Sequence, residues 1–177
     1  MPDLDFYAHV ATRGDVLDAG VTAPPATWEA ALGPDHLDDA SHGLMRRDYG
    51  LVELSFEEGD GVWSCFGISV QVHRLTTGDA SVVPPPLRNA YGPFAPRVEF
   101  DELSAAVTGL GCSIEPDDDA TTTDIRRYRV AETGARIFVV ADPGPYGYGE
   151  PDPDTPGTRA GDVWSLSVSP SWWRSTN

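Results

Sequence analysis

Lysine is absent from this sequence: all twelve of its basic residues are arginine, and 28 acidic residues outnumber them. The formal net charge of −16 disfavours binding to nucleic acid and to anionic membrane surfaces, because both are negatively charged themselves. The same charge attracts a basic protein partner and speeds its encounter with the chain. Simple solubility is the alternative explanation of the acidic excess, and composition does not separate the two.

Cysteine is scarce, and long apolar runs are missing. Cys65 and Cys112 are the only cysteines, too few for a disulfide framework and spaced unlike any zinc motif. The N-terminus, MPDLDFYAHV, has neither the positive n-region nor the apolar h-region of a secretory signal, and no run approaches the ~20 apolar residues of a membrane span. We therefore expect a cytoplasmic protein. A chain of 177 residues can bury roughly 70% of its unfolded surface, so it needs no metal or disulfide to fold.

Motifs of catalysis and cofactor binding are also missing. The sequence has no G-x-S-x-G nucleophile elbow, no phosphate-binding P-loop and no Rossmann glycine pattern. His36 and His42 flank Asp38 and Asp39 in DHLDDASH, but this spacing suits neither a helix-face pair nor a zinc knuckle, and the segment is typical of a surface loop. We predict no catalytic residue, no metal site and no cofactor.

Three segments have the pattern of short helices. Residues 4–17 place apolar side chains loosely at helical spacing, which predicts a short helix or an irregular lead-in. The segment VTAPPATWEAALGPD begins with prolines suited to a first helical turn and stops at Gly33. In FDELSAAVTGLG, Asp101 is the expected N-cap and Gly111 the terminator. The apolar face of this third helix should consist of Phe100, Leu103, Val107 and Leu110.

Alternating segments predict antiparallel strands. In LVELSFE, at 51–57, and VWSCFGISVQVHRL, at 62–75, apolar and polar residues alternate on both sides of the turn EGDG, which is typical of a β-hairpin packed on one face. We expect the apolar row of the second strand to be Val62, Phe66, Ile68, Val70 and Val72. Trp63 and Cys65 then lie on the face away from the core. A second hairpin turns at ETG, and the last strand, VWSLSVS, should point Trp164, Leu166 and Val168 to one side.

Two stretches, GVWSCFGISV at 61–70 and GDVWSLSVSP at 161–170, share the tripeptide Val-Trp-Ser. In each half of the chain a helix ending in Leu-Gly, an acidic loop, an arginine pair and a strand come before that tripeptide. This order favours a tandem repeat of a short helix plus an antiparallel β-hairpin or meander, with the helices packed on one face of the sheet. The predicted fold class is α+β, with a first half at 1–75, a Pro/Gly-rich connector at 76–97 and a second half at 98–177, as separate units or around one shared core.

Acidic and aromatic residues are concentrated in two predicted loops. The acidic runs are PDDDATTTD and EPDPDTPG, and the first lacks the alternating acids, mid-loop glycine and closing glutamate of a calcium loop. Solvated loops are one interpretation, and a partner-facing acidic patch is the other. The candidate partner-binding residues are Asp117, Asp118, Asp119, Tyr146, Tyr148, Glu150, Asp152, Asp154 and Trp63. Exposed aromatic residues beside acid are typical of a protein-binding patch, although Trp63 and the tail pair Trp172-Trp173 can equally cap the second face of the sheet.

The blocks RRDYGLVELSF, GISVQVHRL, ETGARIFVVAD and GDVWSLS make the chain resemble an uncharacterised family from GC-rich soil bacteria. More distantly, a helix ending in Leu-Gly, then Tyr-Gly-Leu-Val-Glu and a β-hairpin, is similar to immunity proteins of bacterial toxin systems and to the tandem-repeat fold of a secreted β-lactamase inhibitor protein. The resemblance implies a protein that binds and blocks another protein without chemistry of its own. The chain departs from the inhibitor in having no secretion signal and no counterpart of its disulfides.

We therefore expect an acidic cytoplasmic protein-binding module, of the immunity type, that neutralises a basic toxin such as a nuclease. Its acidic loops would steer the partner, and Tyr146, Tyr148 or Trp63 would anchor it. The alternative is a small-molecule-binding protein or an enzyme with a pocket between the two halves, using His73 and Glu53. A third hypothesis is a structural protein in which the tail tryptophans make a homodimer contact.

Overall fold

Helices and strands alternate along the chain in a computed structural model that describes residues 2–117, 124–143 and 157–170. In chain order the α-helices are α1 (Pro2–Arg13), α2 (Pro25–Leu32), α3 (Pro85–Tyr91) and α4 (Phe100–Gly109). The strands are β1 (Asp15–Val16), β2 (Ala19–Gly20), β3 (Leu37–Ser41), β4 (Leu44–Asp48), β5 (Val52–Gly59), β6 (Val62–Val70), β7 (Ile114–Pro116), β8 (Ile125–Val130), β9 (Arg136–Val140) and β10 (Val163–Val168). Within these ranges, none of the helices has the length and apolar character that a membrane span requires. The chain is α+β, as the sequence predicts.

Eight of the strands form one antiparallel sheet in the order β3-β4-β5-β6-β10-β9-β8-β7, while β1 and β2 form a separate two-stranded ribbon. The strands β3 to β6 run as one four-stranded meander, and β7 to β10 run as another. The last strands of the two meanders pair with each other at the centre of the sheet, where Ser69 faces Ser167. Two α-helices precede each meander along the chain. The two halves thus share one continuous sheet.

One face of this sheet carries the core. Alternate residues of the central strands, among them Leu54, Ile68, Ile137 and Leu166, are fully buried. They belong to one apolar cluster with side chains from all four helices, namely Phe6, Tyr7, Val10, Trp28, Leu32, Leu87, Leu103 and Val107. Burying one such side chain contributes roughly 1.5–3 kcal/mol. Because successive strand residues point to opposite faces, the residues in between lie on the other side of the sheet, which we call the open face.

A β-bulge in each central strand changes which residues reach the core. Phe66 is the extra residue of β6, because its neighbours Cys65 and Gly67 pair with consecutive residues of β5. Trp164 is the extra residue of β10, opposite consecutive residues of β9. An extra residue shifts the in-and-out alternation of its strand by one position. The side chains before each bulge therefore lie on the opposite face from the one that they would occupy in a strand without a bulge.

The bulge in β6 corrects the faces predicted for this strand. Val62 is 63% exposed and Cys65 is buried, the reverse of the predicted apolar row. Trp63 is not on the face away from the core: it is partly buried and packs against the core cluster. The prediction failed because it continued the alternation of Ile68 and Val70 through the position of the bulge.

The bulges also place the two Val-Trp-Ser segments out of register. When the bulged residues are matched, Val163 corresponds to Cys65 and not to Val62. Val163 is buried, whereas Val62 is exposed. Trp164 is 36% exposed, although the sequence predicted it to point with the buried Leu166. The shared tripeptide therefore does not mark equivalent positions in the two strands.

Three other local predictions need correction. The DHLDDASH segment is not a loop, since it contains the exposed edge strand β3. The N-cap of α4 is Glu99, and Asp101 lies in the first turn instead. Segment 76–97, predicted as a plain connector, contains α3, whose Leu87 is fully buried in the core.

Candidate binding face

The open face has a floor of small residues at the centre of the sheet. A depression of about 230 Å³ over β5, β6 and β10 has a lining that includes Ser55, Gly67, Ser69, Ser167 and Ser169. A methyl group added at Gly67 would lie 3.5 Å from the Cβ atom of Ser55, an ordinary van der Waals contact on the floor of the depression. A floor of this kind lets another molecule approach the sheet closely.

A larger groove lies beside this floor, over β3 to β6. Its volume is about 530 Å³, and its lining includes Asp39, His42, Leu44, Arg46 and Phe66. The β4–β5 register puts Leu44 opposite Glu57 on the open face. The groove therefore combines apolar, acidic and basic side chains on a surface that the described helices leave uncovered.

Several exposed apolar side chains share the open face of the sheet. In the described ranges five large apolar residues are exposed, and three of them, Leu37, Leu44 and Val62, lie on β3, β4 and β6. The strand registers turn all three to the open face. Leu44 lines the groove, whereas Leu37 faces Asp48 at the other end of the β3–β4 hairpin and Val62 faces Gly59 beside the β5–β6 turn.

Ion pairs neutralise much of the charge on the open face. The Glu53 carboxylate is bound by Arg46 (Nε to Oε1, 2.9 Å) and by Arg74 (Nη2 to Oε2, 3.2 Å). In the other meander Asp117 pairs with Arg136 at 3.3 Å. The carboxylate of Asp117, predicted as a partner-binding group, is therefore already engaged within the fold.

Acid without a cationic partner is found at the β5–β6 hairpin and on β3. Glu57, Glu58 and Asp60 are exposed where β5 turns into β6, and Asp39 is exposed on β3. In the part of the chain that the structure describes, these four carboxylates have no ion-pair partner. A positive φ at Asp60 (53°) is typical of a tight hairpin turn. Glu57 lies directly opposite Leu44 and Asp39 lines the same groove, so both can steer a basic surface toward Leu44.

His73 and Glu53, the residues considered for a small-molecule site, make structural contacts. The His73 ring stacks on the indole of Trp164, with centroids 4.1 Å apart and planes 4° apart. Its Nδ1 atom lies 3.2 Å from the Trp164 carbonyl oxygen. His73 thus connects the segment that follows β6 to strand β10. The Glu53 carboxylate connects β5 to Arg46 and Arg74 through its two ion pairs.

Protonation of His73 should destabilise the fold, because burial lowers the pKa of this imidazole below its usual value of 6.5. The unfolded chain binds the proton more tightly, so stability rises with pH through the window just below 6.5 and is complete above it. His73→Phe retains the ring stack and removes the titration. Urea unfolding at about pH 5 and about pH 8 should show the wild type losing stability relative to this variant only at the lower pH. A His73 pKa at or above its usual value, measured by NMR titration of the ring, would contradict the prediction.

A polar pocket of about 470 Å³ lies beside the first turn of α4. Its lining includes Arg97, Phe100, Arg126, Tyr128 and Asp162. The rings of Phe100 and Tyr128 stack with centroids 4.2 Å apart. Arg97 donates two hydrogen bonds of 2.7 Å to the carboxylate of Asp162, which is only 2% exposed. An aromatic wall beside a fixed ion pair suits a small polar ligand.

Among the described residues no group of side chains has the geometry of a metal site, and the thiol of Cys65 is buried. No three histidine, cysteine, aspartate or glutamate side chains converge there. Asp38, one member of the DHLDDASH cluster, instead accepts hydrogen bonds of 2.9 and 3.1 Å from Arg47. Burial raises the pKa of the Cys65 thiol to about 11, and its Sγ atom lies 3.4 Å from the carbonyl oxygen of Gly67.

The two cysteines should differ in reactivity. Cys65 is buried with a raised pKa, whereas Cys112 is partly exposed. Because the thiolate is the reactive species, iodoacetamide at about pH 8 should label Cys112 and leave Cys65 unmodified in the native protein. Mass spectrometry of the peptides gives the result, and labelling of both residues in urea is the control. Comparable native labelling rates for the two thiols would contradict this.

Most of the sequence-predicted partner-binding residues lie outside the described ranges: Asp118, Asp119, Tyr146, Tyr148, Glu150, Asp152 and Asp154, together with the tail tryptophans at 172–173. Of the two that are described, Asp117 is ion-paired and Trp63 packs against the core. Leu37, Leu44 and Val62 were not among the predicted residues. Leu37 and Leu44 required a strand assignment of 37–48, and Val62 required knowledge of the bulge in β6, because their common face exists only in the paired sheet.

No protein-family model, curated protein or solved structure matches this chain.

Proposed function

We propose that this chain is a protein-binding module and that the open face over β3 to β6 is its contact surface. The observation that carries the proposal is the exposed side chain of Leu44 in the groove of the open face, beside the carboxylates of Asp39 and Glu57, with Leu37 and Val62 exposed on the same face. Apolar anchors with charge around them are what a protein interface requires: the anchors supply affinity and the charge selects the partner.

The partner that we propose is a basic protein, and the role is that of a cytoplasmic immunity protein that occupies the working surface of a basic toxin. The net charge of −16 supports this, because it accelerates association with a basic surface. The acidic loop residues Asp118, Asp119, Glu150, Asp152 and Asp154 belong to the steering charge in this proposal, and Tyr146 and Tyr148 to its anchors. The apolar and charged side chains of the contact surface also support the immunity role. A protein that blocks a toxin by covering its working surface needs no reactive group of its own.

The test replaces one exposed leucine at a time. Leu44→Arg removes an apolar anchor and puts a cation where the basic partner should bind, so we expect the dissociation constant to rise at least tenfold. Leu110→Arg is the matched control, because Leu110 is exposed to a similar degree (61% against 54%) but lies at the end of α4, away from the open face. The partner is first captured from the cells that express the chain, and both affinities are then measured by calorimetry.

Three outcomes count against the proposal. The captured partner has a neutral or acidic isoelectric point, the affinity does not fall as salt is raised, or the two arginine variants weaken binding equally. The immunity role has its own check: expression of the partner alone should arrest growth, and co-expression of this chain should restore it.

We also infer that the two meanders are copies of one duplicated unit. Each follows two helices, each carries its bulge in its fourth strand, and buried positions recur in the same order along 65–70 and 163–168. In an experimentally determined structure, superposition of β3–β6 on β7–β10 should bring Phe66 onto Trp164. Superposition of Trp63 on Trp164 instead would contradict this assignment.

The polar pocket beside α4 supports one alternative, the binding of a small polar molecule. Its stacked aromatic pair and fixed ion pair are the observation in its favour. A screen by thermal shift decides between the two functions. A compound whose stabilisation is lost in Tyr128→Ala and retained in Leu44→Arg would favour the small-molecule function.

A further inference from the structure

We propose that the exposed edge strand β3 binds an extended segment of the partner, which adds to the sheet as a ninth, antiparallel strand with a basic residue opposite Asp39. The inference rests on the proposed function and specifies how the partner is recognised. All five residues of β3, Leu37–Ser41, are exposed, and among the described strands β4 is its one neighbour in the sheet. The outer edge of β3 is therefore accessible to another chain.

The backbone of β3 offers hydrogen-bonding groups at this edge. His42 and Gly43 both have positive φ (54° and 76°) and form the two-residue turn between β3 and β4, so Ser41 and Leu44 are the hydrogen-bonded pair that closes the hairpin. Hydrogen-bonded and non-bonded positions alternate along an antiparallel ladder. The N–H and C=O groups of Asp38 and Ala40 consequently point outward, away from β4, where an added strand can pair with them.

The side chains of β3 determine what kind of segment fits. Leu37, which is 77% exposed, and Asp39 lie on the open face, and the Asp39 carboxylate has no ion-pair partner among the described residues. The Asp38 carboxylate, on the other face, is occupied by Arg47. Residues directly opposite each other on neighbouring strands interact most strongly, so the segment needs a basic residue facing Asp39 and an apolar residue facing Leu37. Because the added strand runs antiparallel to β3, its basic residue comes first along the segment and its apolar residue follows two positions later.

The same charge argues against a second copy of this chain as the occupant. The register that pairs the whole of β3 with β3 of another copy places Asp39 opposite its own equivalent, and like charges that face each other directly across a ladder are destabilising. A charged edge strand is a common device against self-association. A basic, extended segment has no such repulsion and also gains the hydrogen bonds of Asp38 and Ala40.

The experiment uses a defined probe, the capped peptide Thr-Arg-Thr-Val-Thr, and its counterpart Thr-Glu-Thr-Val-Thr. We expect the arginine peptide to slow hydrogen exchange of the Asp38 and Ala40 amides at least tenfold in NMR measurements of the full chain, and to bind at least tenfold more tightly than the glutamate peptide. Asp39→Lys should reverse this preference. Absence of protection at both amides, or equal affinity for both peptides, would overturn the inference.

Two variants at Ala40 isolate the backbone contribution. Ala40→Pro removes the outward N–H without removing a ladder bond to β4, so the fold should be retained and the arginine peptide should no longer bind. Ala40→Val keeps the N–H and should bind the peptide as the wild type does. Equal affinity in the two variants would contradict strand addition.

The natural partner separates this inference from the proposed function. If Leu44→Arg weakens binding of the captured partner while Ala40→Pro does not, the open face is the contact surface and strand addition is wrong. If the captured partner is not basic, the proposed function itself fails. Loss of partner binding in both variants, with Ala40→Val unaffected, is the result that we expect.

Discussion

Gly50→Ala should destabilise the fold by about 3 kcal/mol or more. This is the largest effect that we expect from a substitution that only adds a methyl group. Gly50 has φ of 94°, outside the range that alanine adopts without strain. A Cβ atom there would collide with the carbonyl oxygen of Val82 and lie 3.0 Å from the carbon of the same carbonyl. That oxygen also accepts the hydrogen bond from the Leu51 N–H at 2.8 Å, so it cannot move away without breaking this bond.

Gly50 also belongs to a hydrogen-bonded turn, which raises the cost of any shift. Its N–H donates to the Asp48 carboxylate at 2.7 Å, and its carbonyl oxygen accepts a hydrogen bond of 2.8 Å from Arg74. Gly78→Ala is the matched control: Gly78 has a positive φ of 72°, but a Cβ atom there meets nothing within 4 Å. We expect about 1 kcal/mol for the control. Equal losses in urea unfolding would show that the Val82 carbonyl yields and that strain in φ alone sets the cost.

Asp162→Ala should destabilise the fold by about 3 kcal/mol, because it removes the acceptor of a buried ion pair. The Asp162 carboxylate accepts hydrogen bonds of 2.7 Å from both Nε and Nη2 of Arg97 and from the Arg159 N–H. Without it, the Arg97 guanidinium and this N–H lose their acceptor together. The Arg97 side chain is 27% exposed, so water compensates part of the loss and keeps the expected value at the lower end of the range for buried pairs.

A double-mutant cycle separates the ion pair from the rest of the effect. The double variant Arg97→Met/Asp162→Ala should be less destabilised than the sum of the single variants, by roughly 1–2 kcal/mol, since no charge is left without its partner. Glu115→Ala is the matched control, because Glu115 pairs with Arg129 in a site where both side chains are about half exposed, at 45% and 48%. We expect at most about 0.5 kcal/mol for it. Additive single effects in the cycle would show that Asp162 acts through its backbone position and not through Arg97.

The elements that could be predicted from the sequence are those that bury one apolar face. The helices α2 and α4 and the hairpins β5–β6 and β8–β9 were predicted, because each has one apolar face whose period is visible in the sequence. The hairpin β3–β4 was missed. Its strands lie at the edge of the sheet, and the few apolar residues of 37–48 fall on both faces, so no alternation marks them.

Arg47 shows a second kind of limit. It is buried within β4, where Asp38 of the neighbouring strand and the carbonyl oxygen of Pro25, at 3.1 Å, accept its hydrogen bonds. These partners are separated from it by 9 and 22 positions along the chain. A sequence pattern contains only near neighbours, so Arg47 was indistinguishable from the exposed Arg46 beside it. The same holds for Asp117, a predicted partner-binding residue whose ion pair with Arg136 joins positions far apart in the sequence.

By itself, the sequence determined the α+β class, the strong acidity and most of the core, because local apolar periodicity and composition are properties of neighbouring residues. Tertiary structure alone decided the bulges at Phe66 and Trp164, and with them the faces of β6 and β10. A bulge depends on how one strand pairs with the next, which is a relation between distant segments. The candidate binding face follows from that pairing, since Leu37, Leu44 and Val62 share a surface only when the four strands β3 to β6 lie side by side.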